Sequence, residues 1–465
     1  MWYHRQVIKI KLGVGVLGNK LSGKQYTLIA SMLFGMFFGA GNLIFPIILG
    51  AKSGSSLIPA LIGMLITAVG IPLLGVVAMG VSRSEGLMEM SGRVSKGYSY
   101  FFTCALYLTI GPFFAIPRCA ATSFTMGISP MVDSNVSLYQ WIFTTLFFAA
   151  VLYFSLKPSD IMNSIGKWLN PIFLILLGIL TVTALIYPVQ KFTDVVPVDD
   201  YASNAFSAGF LQGYDTLDAL ASLAFGIIVI NVIRGFGTKE PSAIAKSTVK
   251  SGIFSMAIMA IIYALIALVG AQSFGLYADR ITDPSFNGGD AFAIIAEHYF
   301  GKIGLILIAL IVTFCCLKTA IGLVTACSET FVEIFPKTFS YKVYAIIFSV
   351  FSLVVSNIGL SKIIAFSAPV LYFLYPLSIA LILTSLFGRC FGHSRCVYVS
   401  AISFTMIAAI LDLFRVGGIP GTTFIVEMAG KWIPLYNLGI GWIIPLAVGL
   451  IVGFAVKFIT QKNRA

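Results

Sequence analysis

Twelve apolar runs of 18 to 29 residues dominate this chain, and turn-rich, charged segments separate them. A run of about 20 apolar residues crosses a bilayer as a helix, so the runs predict an all-α integral membrane protein with about 12 spans. Only 10% of the residues are charged, against about 25% in soluble proteins, which excludes cytosolic enzymes, nucleic-acid-binding modules and secreted domains. The predicted spans, numbered 1 to 12, are 27–49, 57–80, 98–126, 138–156, 165–187, 206–232, 249–271, 301–328, 341–359, 362–387, 397–414 and 438–456.

Lysine and arginine are divided unevenly between the two sets of loops that alternate along the chain. One set, which includes both tails, holds 21 of them, and the other set holds 7. Because Lys and Arg accumulate on the cytoplasmic side of membranes, this bias predicts that both termini are cytoplasmic. The same bias accounts for the net charge of +12 without a nucleic-acid partner.

Away from the span ends, four charged residues lie inside the predicted spans: Arg118 in span 3, Asp215 and Asp218 in span 6, and Lys318 in span 8. A charge within the bilayer costs at least about 2.5–3.5 kcal/mol, so each is a functional candidate by default. Arg118 also has a structural interpretation, because it lies near the outer end of its span, where its side chain can snorkel to the interface. The sequence leaves open whether the aspartates titrate, pair with Arg118 or accept hydrogen bonds.

Span 1 contains Gly35, Gly39 and Gly41, followed by Asn42. One interpretation is close helix packing through the Gly35–Gly39 pair. The other is a helix that unwinds at Gly39-Ala40-Gly41, which a membrane protein tolerates only beside a cavity or within protein. The freed N–H groups would then begin a half-helix whose positive end suits a carboxylate. Asn42 and the freed carbonyls would suit a cation such as sodium.

Span 6 is interrupted in a similar way by small and polar residues. A polar seam against neighbouring helices is one explanation, and a second broken helix is the other. Spans 1 and 6 each open a block of five spans, and interrupted spans at corresponding positions point to a transporter site. Since five is odd, the second block enters from the opposite side, which predicts an inverted repeat. The interrupting residues are Gly209, Gly213, Asp215, Asp218, Ser222 and Gly226.

No catalytic signature of the HExxH, GxSxG or Walker type occurs in the sequence. We therefore predict that the chain is not an enzyme and carries no cofactor, apart from sodium as a candidate coupling ion. A channel would need a polar ring along a continuous pore, whereas the polar residues here cluster in spans 1 and 6. The seven cysteines fit no zinc pattern and are expected to be free thiols. They are Cys104, Cys119, Cys315, Cys316, Cys327, Cys390 and Cys396.

The chain resembles the branched-chain amino acid:cation symporters, or transport system II carriers, of the amino acid–polyamine–cation superfamily. The resemblance is carried by FFGAGNLIFPIILG in span 1, GYDTLDALASLAFG in span 6 and CLKTAIGL in span 8. It implies a LeuT-like fold, a five-plus-five inverted repeat with two additional C-terminal helices. The implied segments are an N-terminal tail 1–26, repeat one 27–190, repeat two 205–387, helices 11 and 12 at 397–456, and a C-terminal tail 457–465.

The resemblance also implies sodium- or proton-driven uptake of leucine, isoleucine and valine across a bacterial cytoplasmic (inner) membrane. The substrate carboxylate would meet the backbone at the break in span 1, and its amino group would meet carbonyls of span 6. Apolar side chains would surround its branched side chain, which gains about 0.8 kcal/mol per buried CH₂. The implied substrate-binding residues are Phe37, Phe38, Gly39, Ala40, Gly41, Asn42, Gly111, Phe114, Ala221, Ser222 and Phe225.

In the superfamily fold a sodium ion bridges spans 1 and 8. The matching groups are the carbonyls of Gly35, Phe38 and Cys315 and the side chain of Thr319, beside the candidate coupling residues Lys318, Asp215 and Asp218. Lys318 stands where the family has a second hydroxyl residue, and its ammonium cannot ligate sodium but can replace it and exchange a proton. The alternative is thus a proton-coupled or uncoupled carrier of small neutral amino acids. A structural explanation is that Lys318 snorkels or pairs with Glu329.

Overall fold

A computed structural model of the protein describes residues 21–156, 161–238 and 240–462, without the side chains of 161–173, 241, 311 and 462. Most of the predicted N-terminal tail and residues 463–465 lie outside the described residues. The described residues are predominantly helical and contain no β-strand. The α-helices are α1 (Gly23–Phe37), α2 (Gly41–Ser53), α3 (Leu57–Leu65), α4 (Ile71–Ser82), α5 (Leu87–Gly92), α6 (Lys96–Leu108), α7 (Ala115–Gly127), α8 (Val136–Leu156), α9 (Ile161–Ile186), α10 (Asp200–Gln212), α11 (Asp218–Gly235), α12 (Pro241–Gln272), α13 (Gly288–Ile334), α14 (Tyr341–Ser356), α15 (Leu360–Leu386), α16 (Arg395–Gly417), α17 (Thr423–Trp432) and α18 (Ile443–Lys462).

The predicted spans all correspond to helices of the described chain, which confirms an all-α membrane protein. Spans 1 and 6 are each divided in two, as α1 with α2 and α10 with α11. Spans 2 and 3 join α3 to α4 and α6 to α7 through single wide helical turns at Ile66–Gly70 and Thr109–Phe113. The remaining spans are α8, α9, α12, α13, α14, α15, α16 and α18. Nine helical stretches of the described residues are long and apolar enough to cross a membrane without a partner segment.

Burial separates central helices from peripheral ones. Every residue of α2 except Lys52 is buried, which places the second half of span 1 in the centre of the protein. In contrast, α8 exposes large apolar side chains such as Leu138 and Leu146, at 58% and 66%. An apolar surface of this kind is suited to lipid, because lipid tails are as apolar as leucine. The seven cysteines are free, as predicted.

The contacts between spans follow the predicted inverted repeat. Span 1 packs against span 7, and span 6 packs against span 2. In the inverted repeat, span 1 corresponds to span 6, and span 2 corresponds to span 7. The contact between spans 1 and 7 therefore corresponds to the contact between spans 6 and 2. Spans 3 and 8, which are counterparts of each other, also pack together extensively. The five-plus-five architecture is therefore visible in the packing, although the sequence shows no convincing repeat between the two blocks.

Glycines allow the closest approaches between these spans. Gly50 in span 1 and Gly270 in span 7 each face a backbone carbonyl of the other helix, so that a β-carbon at either position would overlap it. Gly63 in span 2 and Gly209 in span 6 do the same for the second contact. Such small residues let helix backbones approach within a membrane, where packing rather than hydrophobicity drives association.

Besides the short helix α5 between spans 2 and 3, two segments expected to be loops are helical. Residues 288–300 form the first part of α13, which changes direction at Gly301 with φ 59°. Asn287 caps this helix, since its side chain accepts hydrogen bonds from the N–H groups of Gly289 and Asp290. Asp290 in turn accepts the N–H of Asn287 at 3.1 Å, which completes a capping box. The other segment is α17, between spans 11 and 12.

We expect Gly209→Ala to destabilise the protein, because its β-carbon would overlap the carbonyl of Ala60. Forced overpacking of this kind typically costs about 1–3 kcal/mol. Gly178→Ala in α9 is the matched control, because no other group lies within 4 Å of its β-carbon position. It should be neutral or stabilising by up to about 1 kcal/mol. Thermal unfolding in detergent measures both variants, and equal unfolding temperatures would contradict the close contact.

Candidate functional site

Span 1 is broken between α1 and α2, where the sequence predicts it. Phe38 ends α1 in an extended conformation with φ −72° and ψ 103°. The N–H of Gly39 donates to Oδ1 of Asn42 at 2.6 Å instead of continuing the helix. The carbonyl of Gly35 therefore loses the donor that it would have in a continuous helix. A carbonyl without that donor is a group that can ligate a cation.

The same break leaves two N–H groups available. Those of Ala40 and Gly41, at the start of α2, donate no hydrogen bond to other described residues. Both residues are buried, so these donors lie inside the protein rather than at its surface. Because the first N–H groups of a helix carry its positive end, this position favours a carboxylate or another anion.

Span 6 is broken between α10 and α11. A 3₁₀ turn at Gly213–Thr216 leads to Leu217, which has φ 66° and ψ 4°. A left-handed backbone is uncommon for a residue with a β-carbon, and here it lets the chain restart as α11. The unwound part of span 6 is therefore residues 213–217.

The span 6 residues expected to contact the substrate lie beyond this break. Ala221, Ser222 and Phe225 are within the continuous helix α11, whose own hydrogen bonds use their carbonyls. The Ser222 hydroxyl donates to the carbonyl of Ala219 at 2.7 Å. A β-carbon on Gly75 of span 2 would overlap that hydroxyl, so the side chain of Ser222 faces span 2.

The two breaks lie against each other. A β-carbon on Gly41 would be 3.4 Å from the carbonyl oxygen of Thr216, so the start of α2 directly faces the unwound part of span 6. Free N–H groups of one span and the turn of the other thus form one continuous buried backbone surface.

A buried hydrogen-bond network connects spans 1, 6 and 7. Nδ2 of Asn42 donates to Oδ2 of Asp218 at 2.9 Å and also to the hydroxyl of Tyr263. The Tyr263 hydroxyl donates to the same carboxylate oxygen at 3.0 Å. These side chains are at most 3% exposed. Asp218 thus serves as a hydrogen-bond acceptor that holds the two breaks together.

Arg118 is buried, at 3% exposure, so the interpretation that it snorkels to the interface is wrong. Its Nη1 donates to the backbone carbonyl of Asp215 at 2.6 Å, and its guanidinium lies 5.2 Å from the ring of Phe45. The Asp215 carboxylate instead accepts Nε2 of Gln212 at 2.7 Å. Arg118 therefore satisfies a carbonyl in the broken part of span 6. Among the described residues, neither aspartate forms an ion pair with it.

Span 8 contributes the other side of the break in span 1. A β-carbon on Gly39 would be 3.5 Å from Oγ1 of Thr319, and that hydroxyl donates to the carbonyl of Cys315 at 3.2 Å. The Cys315 thiol lies 3.8 Å from the carbonyl of Phe38. Phe38, Cys315 and Thr319, three of the four residues expected around sodium, are thus neighbours.

Lys318 precedes Thr319 and is half-buried. It forms no ion pair or hydrogen bond with the described residues, whose ion pairs are Lys52–Asp199 and Arg415–Asp412. The structure therefore does not show the expected pairing with Glu329. An unpaired cation next to Thr319 is consistent with either exposure to a cavity or replacement of a metal ion.

Aromatic side chains lie next to the paired breaks. The rings of Phe37 and Phe225 are 6.1 Å apart in an edge-to-face arrangement, which joins α1 to α11. Phe38 stacks on Phe34 at 4.9 Å. These residues form an apolar wall of the kind expected beside an aliphatic ligand.

The expected contribution of span 3 to this wall is less direct. A β-carbon on Gly111 would be 2.6 Å from the sulfur of Cys327. Cys327 follows Thr319 by eight residues, so it lies about 12 Å further along α13. The ring of Phe114 packs edge-to-face on Phe113 at 6.3 Å. Neither residue has a described contact with the break in span 1.

The sequence interpretation missed Tyr263. It is the only tyrosine in span 7, surrounded by apolar residues. A buried hydroxyl in such a position requires a hydrogen-bond partner, so the sequence could have indicated a polar contact at Tyr263. Its partner could not be identified, because Asn42 and Asp218 are distant in sequence.

Two broken helices that meet inside a five-plus-five inverted repeat define a multi-pass membrane transporter with the LeuT-like fold. Solved structures share this architecture. Mhp1 in its inward-facing conformation has a TM-score of 0.61 at 13% identity and covers 95% of both chains. MhsT in complex with L-phenylalanine has a TM-score of 0.53 at 16% identity, covering 94% of this chain and 98% of MhsT. At these identities the likeness concerns the fold alone.

The particular family follows from sequence comparison. Residues 22–460 match the model of the branched-chain amino acid transport proteins. The branched-chain amino acid permease BrnQ of Lactobacillus delbrueckii subsp. lactis is 48% identical over 96% of this chain and its own full length. The branched-chain amino acid transport system 2 carrier protein of Pseudomonas aeruginosa is 34% identical over 96% of this chain and 98% of its own. The chain belongs to this family of transport proteins, so it is a permease and not an enzyme.

Tyr263→Phe should weaken the buried network, because it removes the hydroxyl that joins Asn42 to Asp218. Interhelical hydrogen bonds in membranes contribute about 0.6–1.7 kcal/mol, and we expect a loss of stability in this range. Tyr98→Phe is the matched control, since its buried hydroxyl has no hydrogen-bond partner among the described residues. Unfolding in detergent should show a loss for the first variant alone. A similar loss in both would contradict the role given to the Tyr263 hydroxyl.

Proposed function

We propose that this transporter imports branched-chain amino acids by cation-coupled symport, with the substrate bound at the breaks of spans 1 and 6. The single observation that carries the proposal is the pair of buried N–H groups of Ala40 and Gly41, which have no hydrogen-bond partner among the described residues and lie beside the turn of span 6. These donors suit the carboxylate common to amino acids. The relatives named as branched-chain amino acid permeases and carriers support the substrate class.

The apolar wall supports an aliphatic substrate side chain. Phe37 and Phe225 lie next to the breaks, and burying a CH₂ group against such a wall stabilises the complex by about 0.8 kcal/mol. One methylene changes binding by only about 1–3 kcal/mol. We therefore expect the carrier to accept leucine, isoleucine and valine with similar affinity, and other small neutral amino acids more weakly.

The driving ion has two candidates. Sodium is supported by the freed carbonyl of Gly35 and by the proximity of Phe38, Cys315 and Thr319. A proton is supported by Lys318, a cation directly beside Thr319 that has no ion-pair partner among the described residues and can take the place of sodium. The bias of Lys and Arg between alternate loops further supports a bacterial cytoplasmic membrane with both termini inside.

Counterflow in proteoliposomes tests the substrate and its site. Vesicles loaded with unlabelled leucine should accumulate labelled leucine, and isoleucine and valine should compete. Gly39→Ala should still fold, because its β-carbon would meet Thr319 at 3.5 Å, an ordinary contact. We expect it to lower kcat/KM roughly tenfold or more by displacing a substrate held at the break.

Gly322→Ala, later in the same helix as Thr319, is the control, since its β-carbon would meet no group within 4 Å. It should transport leucine like the unchanged protein. Absence of leucine counterflow would refute the substrate class. Counterflow with equal kcat/KM in both variants would instead refute the placement of the site.

Replacement of sodium by Lys318 predicts leucine uptake in choline medium when a pH gradient is imposed. Lys318→Thr should create or strengthen a sodium requirement, because it restores a hydroxyl beside Thr319. Lys302→Thr, an exposed position in the same helix, should leave the ion dependence unchanged. If leucine uptake by the unchanged protein depends strictly on sodium, Lys318 does not replace the ion, and sodium-coupled symport is favoured.

A further inference from the structure

The loops between spans 2 and 3 and between spans 10 and 11 form a concave surface that we call the basic pocket. It has a volume of about 670 Å³ and lies where α6 and α16 begin, at the N-terminal ends of spans 3 and 11. The residues that line it are Gly92, Arg93, Ser95, Lys96, His393 and Arg395. Nothing in the transport site involves these residues.

Contacts between the two loops hold the pocket in shape. Nη1 of Arg93 lies 2.7 Å from Nδ1 of His393 and donates to the Tyr398 hydroxyl at 3.1 Å. Nε of Arg395 donates to the backbone carbonyl of Val94 at 3.1 Å. Each contact joins positions about 300 residues apart in sequence. The two guanidinium groups are therefore positioned by the tertiary structure and not by one flexible loop.

The positive charge of the pocket is not neutralised by the described residues. The partners of Arg93 and Arg395 are uncharged, and neither arginine takes part in an ion pair among the described residues. The carboxylate of Glu89, which lies nearby in sequence, accepts the N–H of Glu85 at 2.7 Å instead.

The imidazole of His393 is affected by the positive charges around the pocket. Partial burial and then the charges of Arg93 and Arg389 lower the pKa of His393 below its ordinary value. A neutral imidazole can accept a hydrogen bond from Arg93, which fits their 2.7 Å separation. The Nη groups of Arg93 are used in these contacts and in bonds to the carbonyl of Ser82 and the hydroxyl of Ser84, so Lys96 and Arg395 supply the cationic donors that remain for a ligand.

We propose that the basic pocket binds a phosphate group. Guanidinium groups bind phosphate through paired, charge-assisted hydrogen bonds, and Lys96 adds a further charge at the pocket wall. An anionic phospholipid head group and free inorganic phosphate share this chemistry. The lipid is the closer source, because Val399, one turn beyond Arg395 on α16, is 37% exposed and continues the apolar surface.

The test uses the full-length protein in detergent, with phosphatidylglycerol added and its adducts counted by native mass spectrometry. The double variant Lys96→Gln/Arg395→Gln should bind phosphatidylglycerol about tenfold more weakly, as expected when two charge-assisted contacts are lost. The control Lys337→Gln/Lys342→Gln removes the same charge from two exposed positions, one in the loop between spans 8 and 9 and one in the first turn of α14. It should bind like the unchanged protein. Arg395→Lys should retain most of the binding, because it keeps the charge.

A second arm titrates inorganic phosphate and asks whether it displaces the lipid. Binding of phosphatidylglycerol that depends on Lys96 and Arg395 assigns the site to a lipid head group. Binding of inorganic phosphate alone, with the same dependence, assigns it to the free anion. If neither probe distinguishes the double variant from the control when both unfold at the unchanged temperature, the proposal is overturned. Loss of binding in both double variants alike overturns it too, because the effect then reflects net charge.

Discussion

The structure depends on one constraint, that backbone groups within hydrocarbon must find partners inside the protein. Breaking spans 1 and 6 violates this rule locally, and Asn42 satisfies one of the backbone groups that the break in span 1 frees. Its Oδ1 accepts the N–H of Gly39, and its Nδ2 donates to Asp218 at the start of α11. One amide therefore stabilises the turn in span 1 and attaches it to span 6. Arg118 does the same for the carbonyl of Asp215.

These side chains leave three backbone groups at the break in span 1 without a partner among the described residues. The N–H groups of Ala40 and Gly41 form an electropositive end, and the carbonyl of Gly35 on the other side of the break is a potential cation ligand. A zwitterionic substrate and a driving cation are species that such a surface can bind. The intramembrane charges differ in role, since Arg118 and Asp218 hold the breaks in place while Lys318, beside Thr319, pairs with none of the residues that the structure describes.

The fold was largely predictable because its signals are local. Apolar runs of sufficient length must cross the bilayer as helices, and glycines at 39–41 weaken one of them where it bends. Position alone suggested the inverted repeat, which the contacts of spans 1 with 7 and 6 with 2 display. The helix at 288–300 was not predicted although Asn287 and Asp290 carry a capping signal, because this segment lacks an apolar run of the length that predicts a span.

The site was predictable only where one stretch of backbone defines it. The sequence alone determined a multi-span membrane protein and indicated Gly39–Gly41 as a candidate break, with close helix packing as the other interpretation, since glycine content and hydrophobicity act over neighbouring residues. Only the tertiary structure decided that span 6 unwinds at 213–217, that Ser222 faces span 2, and that Tyr263 joins Asn42 and Asp218. The same holds for the basic pocket, where Arg93 meets His393. These features arise from pairs distant in the chain, and a hydrogen bond or contact between them exists only once the helices have packed.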